Sequence, residues 1–366
     1  MSMAKRRSVG LIFGGESPEH EVSIVTARSI AQHLDPLIYD VIPIGVARNG
    51  VWTVLTMNGK TPFDRLTSQE RPEKSDHPFL PLEKGAEGTP LPDVFFNAIH
   101  GATGEDGQLQ GYLQLLHRPY TGAGLLAMAA GMDKWITKRI WQSEGLPVVP
   151  FVGLTEERWQ QSPKESIHAI ESLGFPLFIK PANLGSSIGI EKVKVASDLD
   201  AALARAFTYD RRVLIEQGLS VRELEVAVLG GEDPLVSIVG EVLVGEEFYT
   251  FHDKYVGKKS KTQIPAEIPT LVSDLIRHQA QLAFRALDAY GMARVDFFME
   301  KTSGKIFLNE INLIPGFTAI SMYPKLMEAS GLNYASLLNR LIDLAFERHA
   351  KDLKKNRGFE SGHTWA

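Results

Sequence analysis

A predicted hairpin in the C-terminal third of the chain constrains its fold more than any other stretch. Residues 293–300 and 306–312 have the composition of two strands, and residues 301–305 between them carry a turn signal at Ser303-Gly304. Side chains alternate between the two faces of a strand. The hairpin is therefore predicted to present one apolar face and one polar face.

The polar face brings charged groups into register. Alternation groups Arg294, Asp296 and Phe298 on the first strand, and Leu308, Glu310 and Asn312 on the second. A turn centred on Ser303 places Asp296 opposite Glu310 and Arg294 opposite Asn312. Facing carboxylates repel each other unless a cation lies between them, and Mg²⁺ takes oxygen ligands that it usually shares with substrate phosphates. We predict a metal site at Asp296, Glu310 and Asn312. The alternative is that these residues form the solvent-exposed polar face of a two-stranded sheet edge.

Composition excludes several classes of function. The chain has 366 residues, a length that allows two or three domains. Its net charge is −5, and it contains no cysteine. The absence of cysteine excludes disulfides, thiolate metal sites and a cysteine nucleophile, and the acidic balance argues against a general nucleic-acid surface. The apolar run at residues 9–13 is too short for a signal peptide, and no segment is long enough to cross a membrane. We expect a cytoplasmic protein with no nucleic-acid or membrane partner.

The N-terminal region has the pattern of a parallel sheet with helices. Residues 9–13 predict a buried strand, a glycine pair turns the chain, and Ser17 and Pro18 are predicted as the N-cap and first position of a helix. Such a helix start is a ligand site. Glu19 lies in this first turn, where an acid favoured by the helix dipole is the alternative.

Two further turns in the N-terminal region carry candidates. Asn49-Gly50 predicts a hairpin turn, and residues 61–92 predict an irregular insertion. A strand at residues 93–100 ends in His100, at the strand end where parallel sheets place ligands. His100 is a substrate-binding candidate, and the alternative is a histidine that braces its own loop.

The strongest local signal in the middle of the chain is a flexible loop between two predicted strands, residues 175–181 and 190–195. The loop, residues 183–189, is rich in glycine and serine and does not enter a helix as a Walker A loop would. Its backbone donors suit a phosphate flap, with Lys180 supplying charge. The alternative is an ordinary hairpin loop.

The remaining segments are predicted as helices, one long loop and a tail. Residues 246–266 contain four lysines and are long enough for a functional lid or a disordered loop. Helices are predicted from Asp133 to about Ser143, at residues 272–290 and at residues 332–346. Residues 347–366 are predicted to form a charged tail.

Taken in order, the motifs resemble those of D-alanine–D-alanine ligases of the ATP-grasp superfamily. The matching stretches are residues 14–23 (GGESPEHEVS), 100–107 (HGATGEDG), 180–189 (KPANLGSSIG), 253–255 (DKY), 294–296 (RVD) and 310–316 (EINLIPG). The resemblance implies an α/β (α+β) fold of three domains, the first of them Rossmann-like. The expected domains are residues 1–130 with the first D-alanine site, 131–219 with the phosphate flap and adenine hinge, and 220–366 with the lid, the metal site and the second D-alanine site.

The resemblance also implies a nucleotide site. Phosphates of ATP would be bound by Lys134, Lys180, Ser187 and Lys254. Adenine would contact backbone groups of the hinge formed by Glu216, Gln217, Gly218 and Leu219, between the rings of Phe178 and Phe298, while Glu223 would bind the ribose. Asp296, Glu310 and Asn312 would hold two Mg²⁺ ions, for which Mn²⁺ could substitute.

The remaining implied roles concern the two D-alanine molecules. The ammonium of the first would bind Glu19, which hydrogen bonds connect to Ser186 and Tyr255. Arg294 and the Gly316 N–H would stabilise the oxyanion, and Ser321 and Met322 would bind the carboxylate of the second. The implied reaction is ATP-dependent ligation through D-alanyl phosphate, for peptidoglycan precursors, by a homodimer.

Two alternatives remain open at this stage. The first is an ester-forming ligase that accepts D-lactate, which Tyr255 disfavours because a neutral phenol does not repel an ammonium acceptor, whereas a histidine could become cationic. The second is a non-catalytic nucleotide sensor, which would have no need of Arg294 together with the three metal-site residues.

Overall fold

Three sheets with flanking helices make up the computed structural model, which describes residues 5–55, 91–185, 188–243, 261–318 and 320–355. The first sheet has four strands: β1 (Arg7–Gly14), β2 (Tyr39–Val46), β3 (Trp52–Val54) and β4 (Val94–Asn97). Their order is β3-β2-β1-β4, with β1, β2 and β4 parallel and β3 an antiparallel edge. The predicted parallel N-terminal sheet is confirmed.

Four helices accompany the first sheet and lead to the second. They are α1 (His20–His33), α2 (Gln108–Leu115), α3 (Leu125–Met132) and α4 (Lys134–Ser143). The α4 helix begins where the sequence predicts, because the Asp133 side chain caps it by accepting from the Ile136 N–H at 2.9 Å. The predicted start of α1 is too early: α1 begins at His20, and Ser17 lies in the turn before it. There Ser17 Oγ accepts from the Glu19 N–H at 3.2 Å and donates to the His100 carbonyl oxygen at 2.6 Å.

The second sheet is antiparallel and has a core of its own. Its strands are β5 (Phe151–Thr155), β6 (Leu177–Pro181), β7 (Glu191–Val193) and β8 (Arg212–Gln217), in the order β5-β8-β6-β7. The helices α5 (Glu156–Gln161), α6 (Pro163–Glu171) and α7 (Leu199–Phe207) belong to this part. Leu154, Ile179 and Leu203 are among the buried residues of this core, which is separate from the larger core that the first and third sheets share.

The third sheet contains the predicted hairpin. Its strands are β9 (Val221–Gly230), β10 (Leu235–Val236), β11 (Gly240–Leu243), β12 (Lys261–Gln263), β13 (Gly291–Glu300) and β14 (Ile306–Asn312). The order is β12-β11-β9-β13-β14, with β10 beside β9. Three helices complete this part: α8 (Thr270–Ala286), α9 (Met322–Ala329) and α10 (Tyr334–Leu353). No helix within the described ranges is long and apolar enough to span a membrane.

The pairing of β13 with β14 is as predicted on the polar side of the hairpin. Arg294 lies opposite Asn312 and Asp296 lies opposite Glu310. The register then shifts by one residue, so that Phe297 lies opposite Leu308. This β-bulge turns Leu308 to the other face, where it is fully buried. The prediction that Leu308 shares the face of Glu310 is therefore wrong.

Three segment predictions need correction. Residues 347–353, predicted as part of a charged tail, are the last two turns of α10. Residues 287–290, predicted as helical, follow the end of α8 and include Asp288 at a φ of 52°. The last residues of the predicted lid form β12, while residues 244–260 lie outside the described part of the chain, as does most of the predicted insertion.

Gly291 of β13 lies against Gly122, so a substitution at Gly291 tests the contact between the third sheet and the N-terminal part of the chain. Its φ is +83°, and a Cβ at this position would lie 2.9 Å from the Cα of Gly122. Gly304 is the matched control, because its φ is +71° but nothing lies within 4 Å of such a Cβ. We expect Gly304→Ala to lower the free energy of unfolding by about 1 kcal/mol, and Gly291→Ala to lower it by at least about 1 kcal/mol more. Urea unfolding followed by tryptophan fluorescence measures both, and equal losses would contradict the contact.

Candidate active site

The polar face of the β13–β14 hairpin holds a network centred on Arg294. Its Nε donates to Asp296 Oδ1 at 2.7 Å, and its second guanidinium nitrogen donates to Oδ2 at 2.6 Å. Asn312 Nδ2 donates to the same Oδ2 at 3.1 Å. Burial lowers the pKa of Arg294, but Asp296 and Glu225 raise it well above its ordinary value. The guanidinium is therefore a permanent cation among acids.

Glu225 belongs to this network and was missed by the sequence analysis. It lies on β9 directly opposite Asp296, and its Oε2 is 3.1 Å from Arg294 Nε. The alternation of β9 could have revealed it, because Glu223 and Glu225 are two residues apart and so share a face. Arg294 thus serves two carboxylates at once.

This face suits a divalent cation in its donor chemistry. Asp296, Glu225 and Glu310 bring three carboxylates to the surroundings of one guanidinium, since all three raise the pKa of Arg294. No group of three or more His, Cys, Asp or Glu side chains is gathered as ligands within the described residues. Two carboxylates and an amide are nevertheless what Mg²⁺ requires when phosphate oxygens and water complete its shell. The residues present therefore fit Mg²⁺ bound together with a phosphate ligand.

A second charged cluster lies on the neighbouring sheet. The Glu216 carboxylate on β8 forms ion pairs with Lys180 of β6 through one oxygen and with Lys138 of α4 through the other, the latter at 2.6 Å. Burial raises the pKa of Glu216, but the two lysines lower it to about 2. The carboxylate is therefore ionised, and two ammonium groups share it.

Aromatic rings line the cleft between these two clusters. Lys180 Nζ lies 5.8 Å from the centre of the Phe298 ring. This contact joins β6 of the second sheet to β13 of the third. Phe298 lies opposite Glu223, and Phe178 lies opposite Glu216. Directly opposite residues of an antiparallel pair share a face, so Phe178 lies on the Glu216 face of the second sheet and Phe298 lies on the Glu223 face of the third sheet. The cleft is the space between these two faces.

The hinge after β8 already uses part of its backbone. The N–H of Gln217 donates to the Pro150 carbonyl oxygen at 3.0 Å, and the N–H of Gly218 donates to the Pro176 carbonyl oxygen at 2.7 Å. These two donors are therefore engaged by the protein. Any base held by this hinge must use its other backbone groups, including those of Leu219.

The start of the flap connects the first and second sheets. Lys134 Nζ donates to the Leu184 carbonyl oxygen at 2.5 Å. A Cβ on Gly185 would lie 3.5 Å from Glu19 Oε2. The predicted phosphate ligand Lys134 and the predicted substrate ligand Glu19 thus both border the flap. The predicted site residues Ser186, Ser187, Lys254 and Tyr255 lie outside the described residues.

His100 is buried and both of its ring nitrogens contact protein groups. Nδ1 lies 3.1 Å from the Ile314 carbonyl oxygen, which can only accept, so this nitrogen carries a proton. Nε2 lies 2.9 Å from Thr26 Oγ1. Burial lowers the pKa of His100, but Glu105 and Glu19 raise it above its ordinary value. His100 braces the loop after β14 against the first sheet, and a direct contact with substrate stays a prediction.

The loop after β14 and the start of α9 close the far end of the site. Ser321 Oγ lies 2.8 Å from Thr318 Oγ1 and 3.1 Å from the Cβ that Gly316 would carry. Met322 is the first residue of α9, and its side chain is buried in the core. Only its backbone N–H is thus placed to meet a ligand at this helix start.

Comparison with known proteins gives family models and relatives of the same family. Residues 140–343 match the model of the D-ala D-ala ligase C-terminus, and residues 8–123 match that of the N-terminus. A D-alanine–D-alanine ligase of Prosthecochloris aestuarii is 44% identical over 356 residues, 93% of this chain and 98% of the relative.

Solved structures agree with these matches. The structure of the D-alanine–D-alanine ligase from Coxiella burnetii is similar with a TM-score of 0.79 and 33% identity, over 95% of this chain and 98% of that one. The VanG D-Ala:D-Ser ligase from Enterococcus faecalis is similar with a TM-score of 0.81 and 33% identity, over 93% of this chain and 100% of that one. The predicted ATP-grasp fold is confirmed.

Glu225 gives the metal face a test that does not depend on catalysis. A cation at Asp296 must compete with Arg294, and Glu225 offers Arg294 a second partner. We expect Glu225→Gln to raise the Mg²⁺ concentration that half-saturates ATP binding by about tenfold, equivalent to about 1.4 kcal/mol. Glu241→Gln is the control, because Glu241 forms a similar buried pair with Arg222, at 2.7 Å, on the same sheet. Equal Mg²⁺ requirements in the two variants would contradict the role of Glu225.

Proposed function

The chain belongs to the D-alanine–D-alanine ligase family, and from this membership we propose that it joins two D-alanine molecules, with ATP converted to ADP and phosphate, to supply peptidoglycan precursors. The observation that carries the proposal is the pair of opposed charge clusters. Lys180, paired with Glu216 above the buried Lys138, faces the cleft from one sheet, and Arg294 with its acids faces it from the other. One cluster suits phosphate oxygens and the other suits a metal-bound phosphate.

The first step is activation of a carboxylate. A carboxylate resists attack by an amine because it is anionic and has no leaving group. Transfer of the γ-phosphoryl group of ATP to the first D-alanine gives D-alanyl phosphate and ADP, and inorganic phosphate then becomes the leaving group. Lys134 and Lys180 would neutralise phosphate charge, with Ser187 and Lys254 as further predicted ligands.

The nucleotide would lie between the two sheets. We propose that the purine packs between Phe178 and Phe298 and that Glu223 binds the ribose hydroxyls. The hinge of Glu216 to Leu219 would contact adenine through the backbone groups that do not already donate to the protein.

Two Mg²⁺ ions, or two Mn²⁺ ions in their place, would be bound by Asp296, Glu310 and Asn312. When bound, the metal would neutralise charge on the phosphate oxygens during transfer. The protein's own part is to keep these three side chains on one face. Arg294, already held beside them, must release Asp296 in part when the cation binds.

The second step needs an oxyanion site. Attack of the second amine on the acyl carbon forms a tetrahedral oxyanion, which we propose is stabilised by the guanidinium of Arg294 and the N–H of Gly316. Arg294 suits this role because its cluster fixes its orientation before the reaction. Its permanent charge then meets the negative charge that develops on the oxygen.

The two D-alanine molecules would bind at opposite ends of the cleft. The ammonium of the first would bind Glu19, with Ser186 and Tyr255 completing a hydrogen-bonded group. The carboxylate of the second would bind at the start of α9, through Ser321 and the N–H of Met322. His100 would act mainly by holding the loop after β14 in place.

Two further parts of the proposal concern the setting of the enzyme. We propose a cytoplasmic location, because the reaction consumes ATP and supplies a precursor made inside the cell. We propose a homodimer from the family resemblance. A non-catalytic sensor is disfavoured, since Arg294 and the three metal-site residues occur together on one face.

Glu310→Gln tests the metal site. The variant keeps the shape of the side chain but removes one anionic ligand, so we expect a loss of phosphate release of at least about a hundredfold with a melting temperature close to that of the wild type. Glu347→Gln, which removes an exposed carboxylate paired with Arg340, is the control and should retain activity. Normal turnover of Glu310→Gln at saturating Mg²⁺ would show that the metal assignment is wrong.

The acceptor has an alternative with a specific observation behind it. A structure similar to this chain over almost all of its length carries the name of a D-Ala:D-Ser ligase, and an ester-forming enzyme would accept D-lactate. The sequence argument from Tyr255 favours an ammonium acceptor. D-alanine and D-serine both satisfy it, so the choice between them depends on the pocket around the second substrate.

A competition assay separates the three acceptors. Equal amounts of D-alanine, D-serine and D-lactate are supplied with ATP from pH 6 to 9, a range chosen to span roughly the titration of a histidine, and the products are separated by mass. We expect D-alanyl-D-alanine to predominate throughout. Predominant D-alanyl-D-serine would move the chain to the D-serine type, and predominant ester at neutral pH would overturn the argument from Tyr255.

A further inference from the structure

Lys138 is a buried cation without a role in the reaction as described above. Its side chain is 1% exposed, and lysine is almost never so buried unless it is paired. Its Nζ lies 2.6 Å from Glu216 Oε1 and donates to the Leu308 carbonyl oxygen of β14 at 3.3 Å. Lys138 therefore connects the strand that carries Glu216 with the strand that carries the predicted metal ligands.

The charge balance of the cluster depends on Lys138. Lys180 points toward the cleft, where its Nζ lies near the Phe298 ring, and it forms an ion pair with the second oxygen of Glu216. With Glu216 and Lys180 alone the pair would be neutral. With Lys138 the three groups carry one surplus positive charge, and Lys180 is the member that can present it to a ligand.

The two lysines of α4 divide this work by their spacing. Lys134 and Lys138 are four residues apart, so they lie on the same side of the helix. Lys134 reaches the Leu184 carbonyl oxygen at the start of the flap. Lys138 lies beneath the cleft at Glu216, out of reach of a ligand in front of Lys180.

We propose that Lys138 is a positioning residue for the nucleotide phosphates: it takes one oxygen of Glu216 and so leaves Lys180 both fixed in place and with net charge for ATP. Glu216 holds the ammonium of Lys180 at one point of the cleft, and Lys138 prevents that anchor from cancelling its charge. The inference rests on the proposed function, because it assumes that ATP is the ligand in the cleft.

The test measures ATP and adenosine binding without D-alanine, so that no turnover is involved. We expect Lys138→Met to weaken ATP binding at least about tenfold and to leave adenosine binding unchanged, because the lost charge acts on phosphates. Lys138→Met combined with Glu216→Gln restores a net charge of one at Lys180, and should recover ATP binding to within about threefold of the wild type. A purely structural role for Lys138 predicts that the double variant is worse than the single one.

Further arms keep the proposal open to contradiction. Arg348→Met removes a half-buried cation, one that donates to the Tyr120 carbonyl oxygen at 2.9 Å, and it should lower the melting temperature without changing the ratio of ATP to adenosine affinity. If Lys138→Met does not fold, Lys138→Gln decides in its place, because it keeps a donor toward Glu216 but carries no charge, and we expect the same loss of ATP affinity. Equal ATP affinities in wild type and Lys138→Met, or a double variant weaker than the single one, would overturn the positioning role. A wild type that binds no ATP would instead overturn the proposed function.

Discussion

Buried charge is the constraint on which the site depends. An unpaired ion inside a protein costs several kcal/mol, so each ionised group in the cleft has opposite charges beside it. Neither cluster reaches neutrality, however. Glu216 is shared by two lysines and leaves a positive surplus, whereas Arg294 is shared by Asp296 and Glu225 and leaves a negative one. The two surpluses face one cleft, and a phosphate with its metal ion carries the complementary charges.

The predicted register of the hairpin is correct because two errors in the prediction cancel. The turn is not centred on Ser303, and β14 contains a bulge that was not predicted. The turn residues pair as Glu300 N–H with the Lys305 carbonyl oxygen, so the turn is centred half a residue before Ser303. A bulge at Asn309 then adds one residue to β14, which restores the predicted pairs of Asp296 with Glu310. Alternation finds the polar face, but it cannot find a bulge, because a single extra residue leaves no mark in the hydrophobic pattern.

Residues that act through tertiary contacts were beyond sequence reasoning. Lys138 lies on a helix that was predicted correctly, yet nothing local tells a buried lysine from an exposed one. Its partner Glu216 lies on β8, which the chain reaches only after the other three strands of the second sheet. Met322 shows the same limit, because its helix start was assigned only through resemblance. Local signals did succeed where the chemistry is local, as with the helix start at Asp133 and the Asn49-Gly50 turn.

In the proposed mechanism the three sheets contribute to different steps of the reaction. Both charge clusters and the two aromatic rings belong to the second and third sheets and to α4, so the nucleotide part of the site needs nothing from the first sheet. Glu19 and His100 lie in the segments that follow β1 and β4 of the first sheet, and they contact the start of the flap and the loop after β14. Since His100 contacts the Ile314 carbonyl oxygen between Asn312 and Gly316, that loop would join the proposed metal site and the proposed oxyanion site to the first sheet in one short stretch. If these assignments are correct, nucleotide binding can precede assembly of the D-alanine site, whereas phosphoryl transfer would require all three sheets together.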